Sequence, residues 1–267
     1  MSEQQDVIAD LGDAGVLVGV RWAFLSATAR SLEIYSEPDG HDHALLGAIR
    51  FTTFRDRLDR VFACERYAVQ TGNDAADLDL LYAELSERDI DTMPRLGPGQ
   101  VRRANLNGSP GWAVESRRFL LAAGNFGKLW ELPWPQKSPT KQRVAMQPSP
   151  EPPQPSLFEG FAQGEMGGLE AAVDADRELD LETFVVGHSL DPLSLQTELV
   201  FGRPRLNSGG GHAWHWYQNL LTMPPGDGGR RTDDAPRPTG PNSVPDAPVR
   251  LRRQAGEQRD DRASVPQ

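Results

Sequence analysis

With Cys64 as its one cysteine, this chain has no internal disulfide to close and no Cys-rich zinc site to build. A reducing, cytoplasmic setting fits that scarcity. Lysine is almost as rare, limited to Lys128, Lys137 and Lys141, while arginine is common, the bias that GC-rich codon usage produces. The formal net charge of -10 leaves no clustered surplus of cations for a general binder of nucleic-acid backbones. Long apolar runs are missing too: Arg21 interrupts the most apolar window, 16–29, so no membrane span is expected. From Met1 through Glu3 and Asp6 there is no basic segment leading into an apolar core, and no signal peptide is expected. Nor does any period of about 20 to 50 residues recur.

What is present is uneven. The 22 prolines and 26 glycines exceed the globular average while the 38% of hydrophobic residues falls below it, so only part of the chain is expected to pack. Residues 16–20 read as a short buried strand and 32–35 as a second. A polar turn through Pro38, Gly40 and His41 then leads to a third apolar stretch, 45–51, which completes a hairpin or meander. Phe54, Leu58, Val61 and Phe62 repeat at helical spacing behind Thr52 or Thr53. Leu78, Leu81, Tyr82 and Leu85 do the same behind Asn73 or Asp74, with Asp77, Asp79 and Glu84 on a solvated face. Further short strands are expected at 101–106, 112–114, 119–122 and 129–132.

The expected fold class is α+β: a small antiparallel sheet with two packed helices in residues 14–135. A proline-rich linker follows at 136–163, the high proline content starting at Pro133. Residues 164–222 form a small second segment, with a helix at 169–179, a strand at 183–186 and a strand or helix at 194–201. The remainder, 223–267, is expected to be a disordered tail of mixed charge.

Within the linker, Gln154, Pro155, Ser156, Leu157 and Phe158 put two large apolar side chains where the composition is otherwise solvated. The run resembles the short peptides by which bacterial DNA polymerases, mismatch-repair proteins and other replication factors dock on the sliding clamp, commonly Gln-Leu-Ser/Asp-Leu-Phe. The resemblance implies a polar anchor at Gln154, a turn at Ser156 and an apolar plug from Leu157 and Phe158. Pro155 stands where leucine is usual, which removes one apolar contact and one donor but stiffens the approach. The match covers five residues, and the partner it implies is the sliding clamp, with a role in replication, repair or a mobile element. The competing reading is that Leu157, Phe158 and Phe161 staple the second segment onto the first.

Two catalytic readings compete with docking. Gly187, His188 and Ser189 at the end of a strand are similar to the nucleophile turn of α/β-hydrolases, although Asp191 and Pro192 stand where that turn continues into glycine and helix. His212 and His215 have a spacing that suits two metal ligands on one turn, with His188, Asp191 or Glu198 as a third; alternatively Trp214, Trp216 and Tyr217 make this an aromatic anchor. His41 and His43 read as a hydrated turn. Gly209, Gly210 and Gly211 lack the following Lys-Ser/Thr of a phosphate loop. No catalytic residue and no cofactor can be assigned on this evidence.

Overall fold

In a computed structural model, residues 2–69, 74–97, 99–148 and 179–224 are described. The chain opens with α1 (Glu3–Asp13), whose N-cap Ser2 and third residue Gln5 form a reciprocal capping box. Gly15, at φ 71°, turns the chain into α2 (Val16–Ile34). After a 3-10 turn at Glu37–Asp39, Asp42 caps α3 (His43–Val61) by accepting from Leu45 N at 2.7 Å. Next come α4 (Asp74–Tyr82), at the place expected, and α5 (Glu87–Thr92).

The strands are β1 (Arg102–Arg103), β2 (Gly111–Val114), β3 (Arg117–Ala123), β4 (Glu182–Leu190), β5 (Thr197–Pro204) and β6 (Trp214–Asn219), in that order across one six-stranded sheet. Every neighbouring pair is antiparallel except β3 and β4, which run parallel with Ala123 opposite His188. The crossover between that pair carries α6 (Pro139–Ala145). Alternation along each strand divides the sheet into two buried faces. Phe119, Leu121, Phe184, Val186 and Phe201 pack with α1, α2 and α3. Leu120, Ala122, Val185 and Val200 pack with Leu132, Trp134, Val144 and Trp214 on the other side. Both faces of β4 are covered, hence its nearly continuous apolar sequence.

The α+β class holds, with a sheet that is larger than expected and mixed rather than wholly antiparallel. The strands expected at 16–20 and 32–35 are the two ends of α2. That helix is buried on most sides, so its apolar residues show no period to distinguish them from a buried strand. The strand at 45–51 and the helix after Thr52 are one element: Thr52 Oγ1 bonds back to Ala48 O and Ile49 O, as a mid-helix threonine does. Residues 129–132 hold a 3-10 turn, Leu129–Glu131, rather than a strand.

Most of 136–148 is folded, so the expected linker does not begin at 136. Pro135 and Pro139 each occupy the first turn of a short helix, where the missing N–H has no partner to lose. Strands from both expected segments, 14–135 and 164–222, join one sheet through the β3–β4 pairing. The helix expected at 169–179 and the tail from 225 onward lie outside the described residues. Among the described residues no helix is long and apolar enough to cross a membrane.

Candidate functional site

Parallel pairing brings the carboxyl ends of β3 and β4 side by side, and buried polar groups collect there. His188, 1% exposed, points toward α2 and α3, its ring 5.4 Å from Phe54 and 6.3 Å from Phe24. From α3, Arg50 places Nη2 3.4 Å from His188 Nδ1. A guanidinium only donates, so Nδ1 accepts and the neutral ring carries its hydrogen on Nε2. Burial lowers Arg50 to about 10. Burial, followed by the charges of Arg50, Lys141 and Lys137, lowers His188 to about 3.

The two lysines come from the crossover. Lys137 ends the 3-10 turn Trp134–Gln136 and donates to Ala123 O at 2.8 Å, the residue in register with His188. Lys141 stands four residues on in α6. Burial lowers both, and Lys137 lowers Lys141 further.

A pH dependence follows from the imidazole. The unfolded chain takes up a proton near pH ~6.5 that folded His188 refuses until about pH 3. Stability is therefore complete above that window and falls inside it, by up to about 1.4 kcal/mol per pH unit. Thermal midpoints measured from pH ~7.5 to ~4.5 are expected to decline, and to decline less in His188→Leu; identical slopes would refute the assignment.

Ser189 is not a nucleophile elbow. It lies inside β4, fully buried, and its hydroxyl donates to Glu198 Oε2 at 2.7 Å. That carboxylate also accepts from Gly127 N at 2.9 Å. His212 and His215 do not converge either. His212 lies between Trp130 and Tyr217, with ring centroids 5.8 and 6.4 Å away. His215 falls in the register shift between Arg203 and Pro204, where burial, Arg203 and Arg205 depress its basicity, a poor setting for another cation. As for the third ligands, Asp191 is occupied by Leu193 N and Ser194, and His188 by the Arg50 contact. Among the described residues no group of three His, Cys, Asp or Glu could hold a metal. Trp214 and Trp216 are packed, as the aromatic-anchor reading has it, whereas Tyr217 is 38% exposed.

Gln154, Ser156, Leu157 and Phe158, with Pro155 between them, lie outside the described residues. The segment they belong to follows Pro148, whose carbonyl accepts from Arg203 Nη2 at 2.6 Å, and precedes Asp180, which pairs with Arg118. A cleft of about 750 Å³ beside α2 is lined by Arg21, Trp22, Leu25, Arg57, Glu84 and Asp89 among others. Its arginines and acids are mixed, and it holds no imidazole or thiol, so the unusual chemistry is at the strand ends instead. Lys137 and Lys141 fall in the expected linker, and in the sequence His188 figures only in the hydrolase-like turn and as a third metal ligand. The available signal was a histidine inside the apolar run of β4. Comparisons with protein-family models, curated proteins and solved structures found no match to this chain, so its functional reading rests on its own residues.

Proposed function

We propose that this chain is a non-catalytic, cytoplasmic interaction protein of bacterial DNA replication, repair or a mobile element, held at the sliding clamp by Gln154, Ser156, Leu157 and Phe158. The peptide itself carries the reading: a glutamine, then a turn-forming serine followed by leucine and phenylalanine, within proline-rich sequence. The anchorage of the flanking residues supports it. Pro148 and Asp180 are both bonded to strands of the sheet, so an occupied peptide would keep the folded body close to the clamp and raise its local concentration there. Catalytic alternatives have lost their residues to other bonds, Ser189 to Glu198 and His212 to its aromatic neighbours.

The test is binding of the full chain, and of a peptide covering 150–161, to the clamp of the same organism. Both are expected to bind. Leu157→Ala and Phe158→Ala should each weaken binding by about 2 kcal/mol, roughly 30-fold. Absence of binding, or binding indifferent to these changes, would end the proposal. A peptide that binds while the full chain does not would favour the internally stapled arrangement of Leu157, Phe158 and Phe161.

A further inference from the structure

Two buried hydrogen-bond donors at the carboxyl end of the β3–β4 pair, and a third group on α2, have no partner among the described residues. The two are Arg50 Nη1 and His188 Nε2, in residues 7% and 1% exposed. The tautomer fixed by Arg50 makes Nε2 a donor. Thr28 Oγ1 is the third unpartnered atom. Gly19 faces Phe62 and Phe24 faces Phe54, so α2 and α3 run antiparallel. Thr28, one turn beyond Phe24, and Arg50, one turn before Phe54, therefore lie toward the same end of the helix pair.

Charge sharpens the point. Other buried arginines here have carboxylates: Arg57 and Arg60 share Asp56, Arg118 has Asp180, and Arg203 has Glu3 and Glu182. Arg50 has none among the described residues, and neither Lys137 nor Lys141 has one. A shortage of acids is not the reason, since 38 acidic residues face 28 Lys and Arg. Glu198, on the strand next to β4, is already engaged by Ser189 and Gly127. Burying cations without an anion is costly, and a site that lacks only the anion is a site for one.

We propose that this end of the sheet binds a phosphoryl dianion, as free phosphate or a phosphate monoester, met by Lys137 and Lys141 at the rim and by Arg50 and His188 within. Three fixed positive charges suit a dianion better than a single carboxylate. The location also follows a general tendency of parallel strands to gather ligands beyond their carboxyl ends. This site is independent of docking through residues 154–158.

Calorimetric titration of the full chain with inorganic phosphate and with a nucleoside monophosphate, at constant ionic strength set by sodium chloride, tests it. Saturable binding of either is expected, and preference between the two identifies the free or the esterified source. The double variant Lys137→Gln/Lys141→Gln alters only the rim and should bind about 100-fold more weakly, about tenfold for each cation lost. The His188 Nε2–H resonance should move on addition of phosphate to the wild type. No saturable binding of either ligand, or binding that the double variant keeps in full, would overturn the proposal.

Discussion

Trp134→Ala is expected to lower the unfolding free energy by about 3–5 kcal/mol, the range for a large aromatic removed from a core. Trp134 is fully buried against the second face of the sheet, edge-on to Trp214 at 5.4 Å. Its indole N–H donates to Ala213 O at 2.6 Å, and its backbone N–H to Asn207 Oδ1 at 3.3 Å. Alanine leaves a cavity and takes away one of the two donors to that carbonyl, which keeps its bond from Arg205 N at 2.8 Å. Trp134→Phe separates the two losses: it restores most of the volume and should cost about 1–2 kcal/mol through the missing N–H. Urea unfolding followed by far-ultraviolet circular dichroism measures each. If residues 133–155 were a solvated spacer throughout, Trp134→Ala would change stability by less than about 0.5 kcal/mol, and that result would refute the placement.

The residues just after Trp134 show what the sequence concealed. Pro135 and Pro139 made 136–148 look like linker, because composition does not distinguish proline in a spacer from proline at the first turn of a short helix. In α3 the second half was legible, since Phe54, Leu58 and Val61 are buried at helical spacing. The first half was less so: Leu46 continues the buried stripe, but its next position is taken by Arg50 and the neighbouring Leu45 is 40% exposed, so the hydrophobic pattern is interrupted where the anion site is proposed. Strands β2, β3 and β4 were readable from short apolar runs bounded by turn residues. For β6 the run of Trp214, Trp216 and Tyr217 gave an aromatic cluster but no strand. His188 was visible as a polar residue in an apolar strand. Its partner Arg50, 138 positions away, was not, because only the α2–α3 hairpin packing on the sheet brings the two together.

The second large effect concerns Asp56. Its Oδ2 accepts from Arg57 Nη1 and Arg60 Nε, both at 2.8 Å, and its Oδ1 from Arg66 Nη2 at 2.8 Å and the Tyr67 hydroxyl at 2.5 Å. Arg57 and Arg60 are 4% and 6% exposed. Arg57 reaches on to Ser26 Oγ in α2, and Arg60 to the carbonyls of Leu80 and Leu81 in α4. One carboxylate thus neutralises the cations that join α3 to two other helices. Asp56→Ala leaves them buried and uncompensated, at an expected cost of about 3–5 kcal/mol near neutral pH. Burial raises the Asp56 pKa, but hydrogen bonds from Tyr67, Arg60 and Arg66 outweigh it, and the net shift is downward. A carboxylate depressed on folding stabilises above its unfolded pKa of ~3.9 and loses that contribution as pH falls through the folded value. The stability gap between wild type and Asp56→Ala should therefore hold from neutral pH down to about pH 4 and narrow below it. The His188 decline lies mostly above that pH and should appear in both proteins, which lets the two titrations be told apart. A gap smaller than about 1 kcal/mol at neutral pH, as for an exposed ion pair, would mean that Asp56 is not the centre of this network.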